Sequence, residues 1–298
     1  MNGSAGPAPA GQETTPLLEA TNLVKEFKVA GDGVGARRRT VRAVDDVSLT
    51  IGYGETLALV GESGSGKSTT ARMLARLMDV DGGEIHFEGQ EVGQLGARAL
   101  RPFRSSVQVV FQDPYSSLNP RHTVEKLVTA PLVYQKRKIP GGARDFTRGL
   151  MERVGLNPDH SSRLPSQFSG GQAQRIGIAR ALAVDAKLVI CDEAVSALDV
   201  SVQAQVINLL RRLREEEGFS YLFIAHDLAV VRQIADRVAV MSAGRVVESG
   251  PRDDVFGDPQ HDYTRTLLSA VPRIDPEWEA ARRRNRVLRS GAADDAAL

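Results

Sequence analysis

Between residues 17 and 51 apolar and polar positions alternate only in part. Val41, Val44, Val47, Leu49 and Ile51 suggest short strands, and the flexible-looking stretch at residues 31–39 interrupts them. A small β-rich layer is expected there. Residues 56–60 form a compact apolar run that stops at a glycine-rich loop. From residue 68 to residue 78 the spacing of Ala71, Leu74 and Leu77 predicts a helix with those three side chains on one face. Between about 112 and 183 nothing reads as a strand, whereas residues 124–134 and 146–154 carry helical spacing, so a mainly helical insertion is expected. Residues 187–191 return as a buried strand, and Val202, Val206, Leu209, Leu210 and Leu213 repeat at helical intervals. Residues 221–225 and 237–241 are further apolar strands. Alternation of this kind indicates an α/β fold, a parallel sheet with crossover helices.

Composition narrows the picture. With 298 residues, 42% hydrophobic and 25% charged, the chain can bury a substantial core. Its formal charge of +1 gives no reason to expect a surface built for nucleic acid. Residues 1–16 are rich in Gly, Ala and Pro, lack the basic opening and apolar stretch of a secretory signal, and read as a disordered tail. No apolar run approaches the roughly 20 residues that cross a bilayer as a helix. The single cysteine, Cys191, excludes an internal disulfide and any zinc or iron–sulfur site held by several cysteines of this chain; a reducing compartment fits.

Two stretches carry chemistry together. Gly61-Glu62-Ser63-Gly64-Ser65-Gly66-Lys67-Ser68 fits the phosphate-binding loop pattern in full, after a predicted strand and before a predicted helix. Glycines let consecutive N–H groups curl around a phosphate chain at a helix start, where the dipole favours anions. Lys67 would reach the terminal phosphates, the Ser68 hydroxyl would bind Mg²⁺, and Thr69 follows in the same first turn. The run Leu188-Val189-Ile190-Cys191-Asp192-Glu193 delivers two carboxylates at the end of an apolar strand, where open α/β sheets bind ligands. Asp192 can hold the metal shell while Glu193, pointing elsewhere, polarises an attacking water. Binding and hydrolysis of ATP with Mg²⁺ is the expected activity.

Phe168-Ser169-Gly170-Gly171-Gln172, opening a helix-like run, resembles the Leu-Ser-Gly-Gly-Gln signature of the ABC (ATP-binding cassette) ATPases. The resemblance extends over residues 17–274. It implies a P-loop NTPase (RecA-like) core, an antiparallel β subdomain and a helical subdomain that carries the signature. In this family Ser169, Gly170, Gly171 and Gln172 would close on the γ-phosphate held by an opposite subunit. Gln112 matches the glutamine that senses magnesium and γ-phosphate, Asp199 the loop at the dimer seam, and His226 the switch histidine. Phe27 is the aromatic expected against adenine, or else a core residue. Phe168 stands where leucine is commoner, and Ala173 where a basic residue is frequent. Intact Glu193 and His226 argue against a cassette that holds ATP without turning it over.

Residues 111–121, Phe111 to Arg121, are similar to the corresponding loop of oligopeptide and dipeptide importer ATPases, and residues 261–268 look like their C-terminal extension, with Asp262 in place of the usual proline. The implied organisation is a nucleotide-binding domain at 17–257, its helical part at about 113–183, and an extension at 258–298, disordered after about 276. The implied partners are a second ABC ATPase subunit, identical or homologous, two transmembrane permease subunits and an extracellular solute-binding protein. They would hold the chain at the cytoplasmic face of a bacterial membrane. Importers of nickel, glutathione and oligosaccharides share these marks. The alternative of another class, a soluble ABC ATPase of translation or DNA repair, predicts fused cassettes or a long coiled coil, and the sequence has neither.

Overall fold

The computed structural model describes residues 15–29 and 39–270. Nearly all of the expected N-terminal tail, the flexible-looking stretch up to residue 38, and the expected disordered end lie outside these residues. In chain order the elements are β1 (Leu18–Val29), β2 (Arg39–Ile51), β3 (Thr56–Val60), α1 (Lys67–Leu74), β4 (Gly82–Phe87), β5 (Gln90–Glu91), α2 (Arg101–Ser106) and β6 (Val107–Val110). There follow α3 (Val124–Tyr134), α4 (Ala143–Arg153), α5 (Gly170–Leu182), β7 (Leu188–Asp192), α6 (Val200–Glu217), β8 (Ser220–Ile224), α7 (Leu228–Ile234), β9 (Arg237–Ser242), β10 (Arg245–Pro251), α8 (Arg252–Gly257) and α9 (Asp262–Ser269).

Two sheets organise the chain. A six-stranded sheet runs in the order β10-β9-β3-β8-β7-β6, parallel throughout except for the antiparallel edge strand β10. Every residue of β3, β7 and β8 is buried, which explains their unbroken apolar character: both faces are covered. Alternate residues serve different cores. Ala58, Val60, Val189, Cys191, Tyr221 and Phe223 join the helices α3 to α6, while Leu57, Leu59, Leu188, Ile190, Leu222 and Ile224 join α1 and the second sheet. That second sheet, β2-β1-β4-β5, is antiparallel. Between β6 and β7 the chain is helical, with α3, α4 and α5 packed on one another.

Two expectations are corrected, and one strand is added. The segment before residue 51 forms two long strands of 12 and 13 residues, because register shifts absorb its broken alternation. The predicted helix to Met78 stops at Leu74: Arg76 takes a left-handed conformation at φ 50, and its guanidinium donates to the carbonyl of Val92 at 2.9 Å. Leu77 consequently faces solvent at 56% exposure rather than the core. Finally, β6, only Val107-Gln108-Val109-Val110, completes the sheet without having been legible as a strand.

Candidate active site

Because β3, β8, β7 and β6 are parallel neighbours, their C-terminal ends form one edge. The loop at residues 61–66 leaves β3, Asp192 ends β7 opposite Ile224 of β8, and His226 follows β8 by two residues. Val110 of β6 pairs with Cys191, so Gln112 and Glu193 each lie two residues beyond paired positions. Gln112 is exposed there. Sheet topology alone thus collects residues up to 165 positions apart in sequence on one rim.

At this rim the two phosphate-chemistry motifs meet. The Ser68 hydroxyl donates to Asp192 Oδ1 at 2.8 Å. A hydroxyl and a carboxylate side by side are hard oxygen donors of the kind Mg²⁺ takes, so these two residues would fit the ion. No group of three or more His, Cys, Asp or Glu that could hold a metal occurs among the described residues. Lys67 is buried, and its ammonium donates to the carbonyls of Gly61 at 2.9 Å and Glu62 at 2.7 Å. Burial pushes its pKa below the ordinary lysine value, opposed by the charges of Glu193, Asp192 and Glu62. A desolvated cation folded onto loop carbonyls is poised for an anion that would replace them.

The loop itself demands glycine at Gly66, which caps α1 at φ 106 and where a Cβ would come within 2.4 Å of the Ala43 carbonyl oxygen. Ser65 is buried, its oxygen 3.4 Å from Lys67 Nζ, while Ser63, Gly64 and Thr69 complete the curl into α1.

Glu193 adopts φ 50, a left-handed conformation uncommon for a side chain of this kind. It is held on both sides: its N–H donates to Ile224 O at 3.1 Å, and its carbonyl accepts from the Ser196 N–H at 3.1 Å and hydroxyl at 2.9 Å. Glu193 and His226 line one small cavity of about 100 Å³ together with Gln203 and Asp227. An acid and an imidazole lining one cavity with room for water can position and polarise an attacking water.

The remaining expected residues are not drawn into this cluster. Ser169 caps α5, accepting from the Gln172 N–H at 3.4 Å while Gln172 Oε1 accepts the Ser169 N–H at 3.0 Å. A Cβ on Gly171 would fall 2.3 Å from Val202 Cγ1, so glycine lets α5 start close against α6. Asp199 is exposed at the N-terminus of α6, and the next residue, Val200, is 83% exposed. Phe27 lies on β1 in the other sheet, 37% exposed, with Lys25 Nζ 6.0 Å from its ring centroid.

Two side chains that the motifs do not predict join the loop after β6 to the start of α5. The Tyr115 hydroxyl donates to Phe168 O at 2.8 Å, and Gln174 Nε2 donates to Phe111 O at 3.3 Å. Both belong to stretches with a recognisable pattern, but no spacing pairs residues more than 50 positions apart.

Residues 44–196 match the family described as ABC transporter, and residues 247–294 the family described as oligopeptide/dipeptide transporter, C-terminal region. The chain is 49% identical over 276 residues to the Oligopeptide transport ATP-binding protein OppF of Bacillus subtilis, covering 92% of this chain and 87% of that one. It is 51% identical over 273 residues to the Glutathione import ATP-binding protein GsiA of Pectobacterium atrosepticum, covering 92% of this chain and 43% of the relative, so it spans less than half of that protein. Among solved structures, a dimeric post-hydrolysis state of the ATP-binding cassette MJ0796 bound to ADP and Pi aligns with a TM-score of 0.69 at 28% identity, over 79% of this chain and 98% of that one.

Proposed function

The chain belongs to the ABC transporter family, and from that premise we propose that it binds and hydrolyses MgATP to energise uptake of di- or oligopeptides, or of glutathione, through separate permease subunits. The observation that carries this reading is the 2.8 Å contact between Ser68 and Asp192, which brings the phosphate loop and the acidic strand end onto one rim beside Glu193 and His226. In this reading Lys67 and the loop amides would hold the triphosphate, Ser68 and Asp192 would hold Mg²⁺ with Gln112 as a further contact to it, and Phe27 would stack on adenine. Glu193 polarises the attacking water and His226 contacts the γ-phosphate. Positioning and charge stabilisation supply most of the rate.

Ser169 and Gln172 are exposed at the start of α5, Gly170 is half-buried and Gly171 is buried against α6, while the apolar Val200 beside Asp199 is exposed; this outward-facing helix start supports closure against the nucleotide of a second cassette. ATP then draws two cassettes together through its higher affinity for the closed pair. No helix among the described residues is long and apolar enough to cross a membrane, so the membrane path is assigned to the permease subunits, with an external binding protein delivering solute. The permeases would dock in the cleft of about 450 Å³ between the loop after β6 and α3, lined by Arg104, Asn119, Leu127 and Tyr134 among others. Peptide-like solutes are favoured by the match of residues 247–294 to the oligopeptide/dipeptide transporter C-terminal region.

The test is ATPase activity of the purified chain combined with its permease chains and binding protein in lipid vesicles. Di- and oligopeptides or glutathione are expected to stimulate turnover, and Glu193→Gln to abolish it. A rate insensitive to every such solute would count against an importer, and unchanged turnover in Glu193→Gln would remove the role given to that residue.

A further inference from the structure

The phosphate loop is tied to a residue 201 positions away. The hydroxyl oxygen of Tyr263, the second residue of α9, accepts the Glu62 N–H at 3.0 Å. This N–H belongs to the same peptide plane as the Gly61 carbonyl, which accepts from Lys67 Nζ at 2.9 Å. One peptide unit at the start of the loop is therefore held at its oxygen end by the lysine and at its nitrogen end by the phenol.

The two ends differ in what they do when a triphosphate enters. In the nucleotide-binding reading above, on which this inference rests, Lys67 leaves the Gly61 and Glu62 carbonyls for phosphate oxygens. The oxygen end is then released, and the nitrogen end keeps the peptide in place only if its acceptor stays fixed. Tyr263 is fixed in three ways. Its ring, with Leu267 and Leu268, packs against the larger core. Its own N–H donates to His261 Nδ1 at 3.1 Å, which caps α9. The segment before it is pinned to β10 by Glu248, whose carboxylate accepts the Gln260 N–H at 2.8 Å and the His261 N–H at 3.0 Å. Since β10 pairs with β9 and β9 with β3, the strand that feeds the loop, the phenol and the loop share one rigid frame.

We propose that Tyr263 is a positioning residue for the phosphate-binding loop, its phenolic oxygen fixing the Gly61–Glu62 peptide while Lys67 transfers from that peptide to the nucleotide. The C-terminal segment thereby sets ATP affinity from outside the nucleotide contacts.

The experiment compares wild type, Tyr263→Phe, Glu248→Ala and the double variant by calorimetric titration with MgATP, steady-state ATPase kinetics and thermal unfolding. Phenylalanine keeps the packed ring and removes only the acceptor. The loss of one hydrogen bond predicts a dissociation constant and KM raised ~3- to 10-fold. kcat at saturating ATP is expected to stay within ~2-fold, and Tm to fall by no more than the ~1–6 °C that one lost hydrogen bond accounts for, since the ring still fills its site. Glu248→Ala is expected to raise KM in the same direction by letting α9 shift. The double variant should exceed Tyr263→Phe very little, because both act through one oxygen. Unchanged nucleotide affinity in Tyr263→Phe, a fall in kcat at constant KM, or fully additive effects would overturn the proposal while leaving the ATPase reading intact. A wild-type chain that binds no MgATP would overturn both.

Discussion

Replacing Gly171 with alanine separates two reasons for a glycine in the signature turn: room for a nucleotide, or room for a neighbouring helix. The added Cβ would lie 2.3 Å from Val202 Cγ1, about 1 Å inside the 3.4 Å at which ordinary contact begins. Val202 is β-branched within α6 and has one favoured rotamer, so it cannot simply turn away. Overpacking of this kind costs ~1–3 kcal/mol, against which alanine in a helix gains ~0.5–1 kcal/mol over glycine. A net destabilisation of about 0–2.5 kcal/mol is expected for Gly171→Ala. Val202→Ala alone removes a partly buried side chain and costs about 1 kcal/mol or less. In the double variant the clash disappears, so the two changes should couple favourably by ~1–2 kcal/mol in a urea-unfolding cycle. Additivity within ~0.5 kcal/mol would refute the packing argument. If the double variant is as stable as wild type but lacks ATP-dependent association, the glycine is also needed by the opposing nucleotide.

Four further outcomes follow from the geometry. Cys191 is fully buried and its thiol is pushed up to about 12, so a thiol reagent should find no reactive cysteine in the native chain and one after unfolding; rapid labelling of folded protein would contradict its placement. Because that folded value is raised, the thiol holds its proton in the native state after the unfolded one has lost it, and stability should decline as pH climbs above ~9; Cys191→Ala should flatten that alkaline decline, and an unaltered pH profile of unfolding would argue against it. Glu193→Gly relieves a left-handed conformation at φ 50 and should leave Tm equal or higher while ATPase activity falls at least ~100-fold; a lower Tm would show that no strain is stored there. Tyr115→Phe removes the donor to Phe168 O and is expected to weaken solute stimulation of ATPase more than basal turnover, with a stability loss of ~0.5–1.5 kcal/mol; equal loss of both rates would exclude a linking role.

How much of this was legible beforehand depended on whether a residue's job is local. The phosphate loop, the acidic strand end and the helix cap at Ser169 are short contiguous patterns whose backbone requirements write themselves into the sequence. Strands β3, β7 and β8 were clear because burial on both faces makes them uniformly apolar. By contrast β6 leaves little mark in the sequence because Gln108 breaks a run of only four residues, and the end of α1 leaves none because Arg76, an ordinary helix former, turns left-handed and buries its guanidinium. Leu77 continued the apolar spacing past the point where the chain leaves the helix. Long-range contacts were silent altogether: neither Tyr115 nor Tyr263 carries a mark naming its partner, since each pairs with a backbone group, and every residue has those.

Calorimetric titration of the purified chain with ATP, with and without Mg²⁺, tests most directly whether Lys67, Ser68, Asp192 and Glu193 surround one nucleotide. The account predicts saturable binding of one MgATP per chain, strongly weakened in Lys67→Ala and made insensitive to Mg²⁺ in Asp192→Asn. Binding that is undiminished in Lys67→Ala, or no saturable heat in the wild type, would contradict it.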